Sequence, residues 1–252
     1  MNIIFLGKKD CAAEMLQWTV RQGIGVSLVC ADAAHAGKAL LDAARELCIP
    51  AASMEEAEEY VLAHPGEVDL AVSYLFWRRI RKPLIEGPRY GCINFHPAIL
   101  PDWKGTAGYN IAILNKLDEW GATAHYVDES FDTGPIIKKY TFSFDYRLET
   151  ALSLEKKTQE IQKALYKSVM LDFRERGRLP AEAQTAGGGT YISRAQMLEM
   201  MKIDMDRLDG EDLDLKIRAF WFPPFSGAGF EHNGKFYTLV NDEILRSLGG
   251  EI

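Results

Sequence analysis

The stretch Asn2-Ile3-Ile4-Phe5-Leu6-Gly7-Lys8-Lys9-Asp10-Cys11-Ala12 decides the fold. Asn2 to Leu6 is a short apolar run closed by Gly7, which reads as a strand. From Asp10 the interval changes, and Cys11, Ala12, Met15, Leu16 and Val20 recur at helical spacing, so strand, tight turn and helix follow in order. The same switch repeats. Ile24 to Cys30 reads as a strand, Gly37 to Leu47 as a helix, Met54 to Ala63 as an acidic helix and Val68 to Tyr74 as a strand. Such alternation predicts βαβ units with right-handed crossovers, an α/β fold with a Rossmann-like, mostly parallel twisted sheet and flanking helices.

Farther along, Cys92-Ile93-Asn94-Phe95-His96 reads as a strand stopped by Pro97, Ala107 to Leu117 as a helix, and Ala122 to Val127 and Ile136 to Phe144 as strands. A long helix follows, with Leu154, Ile161, Leu165, Val169 and Phe173 on one stripe that lies across the sheet. Beyond Phe173 the character changes to the charged run Arg174 to Arg178, the turn Gly187-Gly188-Gly189 and a helix from Ser193, its cap, to Lys202. An aromatic segment around Pro223-Pro224 comes next. A hairpin, Phe230 to His232 and Lys235 to Val240, turns at Asn233-Gly234. The chain therefore divides into a catalytic domain, 1–173, and a small C-terminal subdomain, 174–252.

The 252 residues, 47% hydrophobic and 26% charged, have the balance of an ordinary globular protein rather than a disordered one. A formal net charge of −7 argues against a protein that grips a phosphate backbone, so no nucleic-acid partner is expected. No apolar run is long enough for a bilayer and the amino terminus lacks signal-peptide order, which points to the cytoplasm and away from membranes. Cys11, Cys30, Cys48 and Cys92 are scattered, so reduced thiols are expected and no metal site.

In the strand from Cys92, Asn94 and His96 share a face opposite Ile93 and Phe95, at the carboxyl end where open α/β sheets keep their ligands. Histidine exchanges a proton near neutrality, a carboxylate such as Asp132 fixes its tautomer, and an amide donates to an oxyanion without titrating. That set suits acyl transfer to an amine, with the substrate as nucleophile, because no Gly-x-Ser-x-Gly is present. The same residues also suit a buried histidine satisfied by a nearby aspartate. Gly7-Lys8-Lys9, between strand and helix, is a position that favours an anion. His125 reads as structural or supporting, and His35, His64 and His232 carry no chemistry.

Pro97-Ala98-Ile99-Leu100-Pro101, Lys104-Gly105 and Asp132-Thr133-Gly134-Pro135-Ile136-Ile137 together resemble the folate-dependent formyltransferase family, over about Met1 to Phe144 in order of elements. The resemblance implies transfer of a formyl group from N10-formyltetrahydrofolate to an amine. Asn94 would stabilise the oxyanion, His96 would handle the proton and Asp132 would orient His96. It also implies a pterin pocket from Phe76, Trp77, Arg78, Arg79 and Ile80 with Val127, Asp128, Ser130 and Phe131. Trp77 stands where a basic residue is common and Arg79 where an aliphatic one is, and the stretch could instead begin an amphipathic helix with Trp77 in the core. Lys8, Lys9, Lys104, Gly105 and Thr106 are the implied substrate contacts.

Ile217-Arg218-Ala219-Phe220-Trp221-Phe222-Pro223-Pro224-Phe225 resembles the segment near the end of nucleotide-sugar N-formyltransferases of the amino-dideoxy sugar type. That implies a nucleotide-linked amino sugar as acceptor, a small-molecule partner used in surface polysaccharide or glycan biosynthesis. The aromatics would stack on base or sugar with Arg218 near a phosphate, or else pack the subdomain or a homodimer interface. Alternatives are methionyl-tRNA, glycinamide ribonucleotide or peptide-carrier acceptors, and hydrolysis of the formyl-folate. A tRNA enzyme of the known kind would carry a basic β-barrel, whereas Asp204, Asp206, Asp209, Glu211, Asp212 and Asp214 make this region acidic.

Overall fold

The computed structural model describes residues 1–32, 34, 37–185, 188–207 and 210–248. His35, Gly187 and Asp209 lie outside the described residues, and of Glu211 only the backbone is described. The chain runs β1 (Asn2–Gly7), α1 (Asp10–Arg21), β2 (Gly25–Cys30), α2 (Lys38–Glu46), β3 (Ala51–Ala52), α3 (Met54–Ala63), β4 (Leu70–Tyr74), α4 (Lys82–Glu86) and β5 (Cys92–His96). It continues through β6 (Trp103–Gly105), α5 (Gly108–Leu114), β7 (Glu119–Tyr126), β8 (Ile136–Ser143), α6 (Ala151–Arg176), β9 (Thr190–Ile192), α7 (Arg194–Met200), α8 (Gly210–Phe220), β10 (Gly229–His232), β11 (Lys235–Thr238) and α9 (Asp242–Ser247).

A seven-stranded sheet has the order β3-β2-β1-β4-β5-β7-β8. The pairs from β3 to β5 are parallel, and β7 joins β5 antiparallel. The chain first builds outward from β1 to β3, then crosses to the other side of β1 at β4. That reversal is the topological switch beside which doubly wound sheets bind ligands, at the carboxyl ends of the strands.

Two compact units arise, one of residues 1–102, 121–140 and 159–189, the other of 103–120, 141–158 and 190–252. This division is discontinuous, unlike the single boundary at 173/174 read from the sequence. Its physical reason is twofold: α6 runs unbroken past Phe173 to Arg176, and Glu182 then bridges to Ile136 at the start of β8.

In the first unit, β1 is buried on both faces, as its uninterrupted apolar run requires. Ile3 and Phe5 enter a core with Leu16 of α1 and Leu165, Val169 and Phe173 of α6, while Ile4 and Leu6 enter another with Met54, Ala57 and Val61 of α3. Ser53 caps α3 reciprocally with Glu56, which fixes where that helix starts. The α6 stripe differs from the expected one at one place. Ile161 is only half-buried, and Gln162 is wholly buried because its Nε2 donates to the Phe95 carbonyl at 2.7 Å.

In the second unit, β6 pairs in parallel with β9, and β10 with β11 forms the expected hairpin. Asn233 and Gly234 both take positive φ, 49° and 71°, as a tight hairpin turn demands. Ser193 caps α7 with Gln196 in the manner read from the sequence. Phe220 is buried, whereas Phe225 is 66% exposed. Arg218 is not placed to meet a phosphate. It is 7% exposed, and it donates to Asp214 at 2.8 Å and to the carbonyls of Tyr146 and Glu149 at 2.5 and 3.1 Å. Replacing it with methionine strands those acceptors, and urea unfolding of Arg218→Met is expected to show a loss of about 1.5–3 kcal/mol. Unchanged stability would contradict a structural role for this arginine. Among the described residues, no helix is long and apolar enough to cross a membrane and no cluster of ligating side chains is placed to hold a metal ion.

Candidate active site

The centre of the site is a polar row across three neighbouring strands, within their first-unit residues. Register sets it: Ser73 of β4 lies opposite Asn94 of β5, and Asn94 lies opposite His125 of β7. Ile93 and Phe95 on either side of Asn94 are wholly buried, which fixes the strand and leaves the row facing one way. Ser73 Oγ donates to Asn94 Oδ1 at 2.8 Å, and Asn94 Nδ2 lies 3.2 Å from His125 Nε2. His125 Nδ1 lies 2.7 Å from the Tyr126 carbonyl, which can only accept, so that nitrogen carries the proton and Nε2 accepts from Asn94. The amide of Asn94 is thus oriented from both ends. One of its two N–H bonds is directed at His125 Nε2.

His96 ends β5 and is 6% exposed. Its Nδ1 lies 3.5 Å from Asp132 Oδ1, and the same oxygen lies 3.6 Å from His125 Nε2. Asp132 therefore stands between the imidazoles of His96 and His125. The three residues expected to act together are brought together.

Asp132 belongs to the loop between β7 and β8, where it takes a positive φ of 57°. A non-glycine residue in that conformation persists only where its surroundings hold it. Here Tyr126 N donates to the Pro135 carbonyl at 2.9 Å, Val127 N to the Cys92 carbonyl at 2.8 Å, and Thr133 Oγ1 to both carboxylate oxygens of Asp128 at 2.7 and 2.8 Å. Asp128 also accepts from Ser130 N at 3.0 Å, so its carboxylate shapes the loop. Gly134 leaves room for the strand behind it, since a Cβ there would stand 1.9 Å from the Tyr126 carbonyl oxygen.

The two segments read as a pterin pocket also meet. Residues 75–81 are irregular, with Leu75 at a φ of 58°, and the helix that the alternative reading would start here begins only at Lys82. Phe76 and Trp77 are half-buried with ring centroids 4.5 Å apart, and Ile80 is buried. Arg79 donates to the Glu129 carbonyl and lies over the Phe131 ring at 5.7 Å. Arg78 forks onto Glu55 at 2.6 and 3.2 Å, and Arg81 reaches Glu55 and Glu58. The Arg78 hydrogen bond foremost holds the Glu55 carboxyl down to about 2. A carboxyl depressed in the fold contributes stability above its free value and loses it as pH falls through the folded one, so this tether persists to about pH 2. A hollow of about 580 Å³ opens between Met54, Arg78, Ile80, Ile85 and Glu129.

The candidate substrate contacts divide between the units. Lys8 and Lys9 follow β1, whose Gly7 pairs with Tyr74 while Tyr74 pairs with Phe95, so they share a sheet edge with His96. Lys104, Gly105 and Thr106 belong to the second unit. There Gly105 has a φ of 79° with Ile192 O 2.7 Å from where its Cβ would be, and Thr106 donates twice to that same oxygen. Ser73 escaped sequence reading altogether. Its signal was a hydroxyl in an otherwise apolar strand, uninterpretable without the register.

Residues 1–170 match a family model described as formyl transferase. The methionyl-tRNA formyltransferase of Novosphingobium aromaticivorans is 28% identical over 260 residues, 99% of this chain and 83% of the relative. That of Dechloromonas aromatica is 30% identical over 252 residues, 95% of this chain and 78% of the relative. A 4-N formyltransferase from Francisella tularensis has a similar structure, with a TM-score of 0.77, 21% identity, and coverage of 95% of this chain and 96% of that one. An N-formyltransferase from Helicobacter canadensis, solved with folinic acid and dTDP-3-aminofucose, gives 0.72 at 23% identity, over 92% and 84%.

Proposed function

The chain belongs to the formyl transferase family, and on that premise we propose that it moves a formyl group from N10-formyltetrahydrofolate to the amine of a nucleotide-linked amino sugar. The observation that carries the reading is the doubly oriented Asn94 amide beside an Asp132-paired His96. The neutral amine attacks the formyl carbon, and the C–N bond forms as the carbonyl electrons move to oxygen. The second Nδ2–H of Asn94 receives that oxyanion. His96 Nε2 takes the proton from the attacking nitrogen and returns it to the folate nitrogen as the old C–N bond breaks, with Asp132 balancing the imidazolium. The donor's pterin lies against Phe76 to Ile80 and Val127 to Phe131, where loop backbone reads its edge and apolar groups cover its faces. Lys8 and Lys9 face the acceptor's phosphates from the end of β1.

An amino-sugar acceptor is supported by the likeness, over most of both chains, to the Helicobacter protein solved with dTDP-3-aminofucose. The content of residues 190–248 supports it too, since the described part is short helices and two-stranded ladders with exposed acids Asp204, Asp206 and Asp212, unsuited to RNA. The names of the sequence relatives favour a second reading, formylation of methionyl-tRNA. Release of tetrahydrofolate distinguishes transfer from hydrolysis. It is expected to require an amino-sugar nucleotide, and equal release without any amine would contradict the proposal.

A further inference from the structure

We propose that Gln184 is a positioning residue for Asp132. This deepens the formyl-transfer reading and rests on it. Gln184 lies in the segment that follows α6, outside every motif that marks the site. Ile136 and Glu182 exchange backbone hydrogen bonds at 2.7 and 2.8 Å in an antiparallel bridge. Continued two residues before Ile136 and two beyond Glu182, that register sets Gln184 opposite Gly134. There the side chain replaces the ladder. Its Nε2 donates to the Asp132 carbonyl at 3.0 Å and to the Gly134 carbonyl at 2.7 Å.

Both hydrogens of one amide are therefore spent on the two carbonyls that bracket Thr133. They close the loop from the side opposite Tyr126, whose carbonyl already limits Gly134 to a bare Cα. A left-handed Asp132 relaxes unless its flanking peptides are held, and its Oδ1 must stay by His96 Nδ1, 3.5 Å away. A small rotation of the 132–134 peptides moves that oxygen away from His96. Catalytic steps are sensitive to displacements of this size.

The experiment uses the full chain. Gln184→Leu keeps the approximate volume and removes both donors. It is expected to lower kcat about ten- to hundredfold, with KM for donor and acceptor held within about threefold. In the Asp132→Asn background the same substitution is expected to change kcat by less than about threefold, because residues acting through one another are not additive. The His96 imidazole, faced by Asp132 and His125, is followed by NMR in parallel, and its titration is expected to move downward as the carboxylate withdraws. Full activity in a folded Gln184→Leu, an equal loss in the Asp132→Asn background, or an unmoved His96 titration would each overturn the proposal. If Gln184→Leu does not fold, Gln184→Asn, too short to reach both carbonyls, goes through the same measurements. If the wild-type protein formylates no acceptor, the family reading of this site fails, while the His96 titration still decides whether Gln184 positions Asp132.

Discussion

Asn94→Ala lowers the turnover of formyl transfer by about 100- to 1000-fold, the loss that follows removal of one preorganised oxyanion donor. KM for the formyl donor is expected to stay near its original value, since the proposed pterin pocket is built from other segments. The substitution also strands two groups, the Ser73 hydroxyl and His125 Nε2, whose partners are the two ends of the deleted amide. That costs about 1–3 kcal/mol of stability in a buried row. A thermal melt separates the two effects. Turnover measured well below the unfolding transition reports the lost donor alone, and near wild-type turnover there would remove Asn94 from the chemistry.

Gly134→Ala is expected to be worse than its one added carbon suggests. The new Cβ stands 1.9 Å from the Tyr126 carbonyl oxygen and 2.7 Å from its carbon, and both are backbone that β7 holds in register. The loop must move instead, and with it Asp132, so stability falls by about 1–3 kcal/mol and turnover by about 100-fold or more. Gly66→Ala serves as the comparison. Gly66 has a φ of 82° with no atom within 4 Å of where its Cβ would be, so the change costs about 1–2 kcal/mol of backbone strain and leaves turnover intact. Equal turnover in the two variants would contradict the tight packing assigned to the 132–134 loop.

Much of this was legible before the structure because it is local. The run from Ile3 to Leu6, the cap at Ser53 and the Asn233-Gly234 turn each carry their cause within a few residues, and their elements formed where expected. Asn94 and His96 could be read as a pair from strand alternation and the following Pro97, whereas Asp132 joined them through the resemblance to a family motif. The partners of these residues were not legible. Ser73 and His125 become neighbours of Asn94 only through the register of three strands, and one of those strands runs antiparallel. His125 looked structural in the sequence, and its role is indeed to orient, yet nothing local says that it orients Asn94. Gln184 depends on a single bridge some distance beyond the long helix. The division at 173/174 followed a change of composition, whereas the compact units follow where the chain returns to pair. For Arg218 the sequence leaves open a phosphate contact or packing of the subdomain, and burial against the Tyr146 and Glu149 carbonyls decides for packing.

In the proposed reaction the oriented Asn94 amide and the Asp132-paired His96 carry a formyl group to the amine of a nucleotide-linked sugar. Mass spectrometry of the acceptor, after incubation with N10-formyltetrahydrofolate and either amino-sugar nucleotides or methionyl-tRNA, tests it most directly. Expected are a formylated sugar amine with the wild-type protein, almost none with Asn94→Ala, and no formylated methionyl-tRNA. Formyl on the tRNA with every sugar unmodified, or equal product from Asn94→Ala, would contradict it.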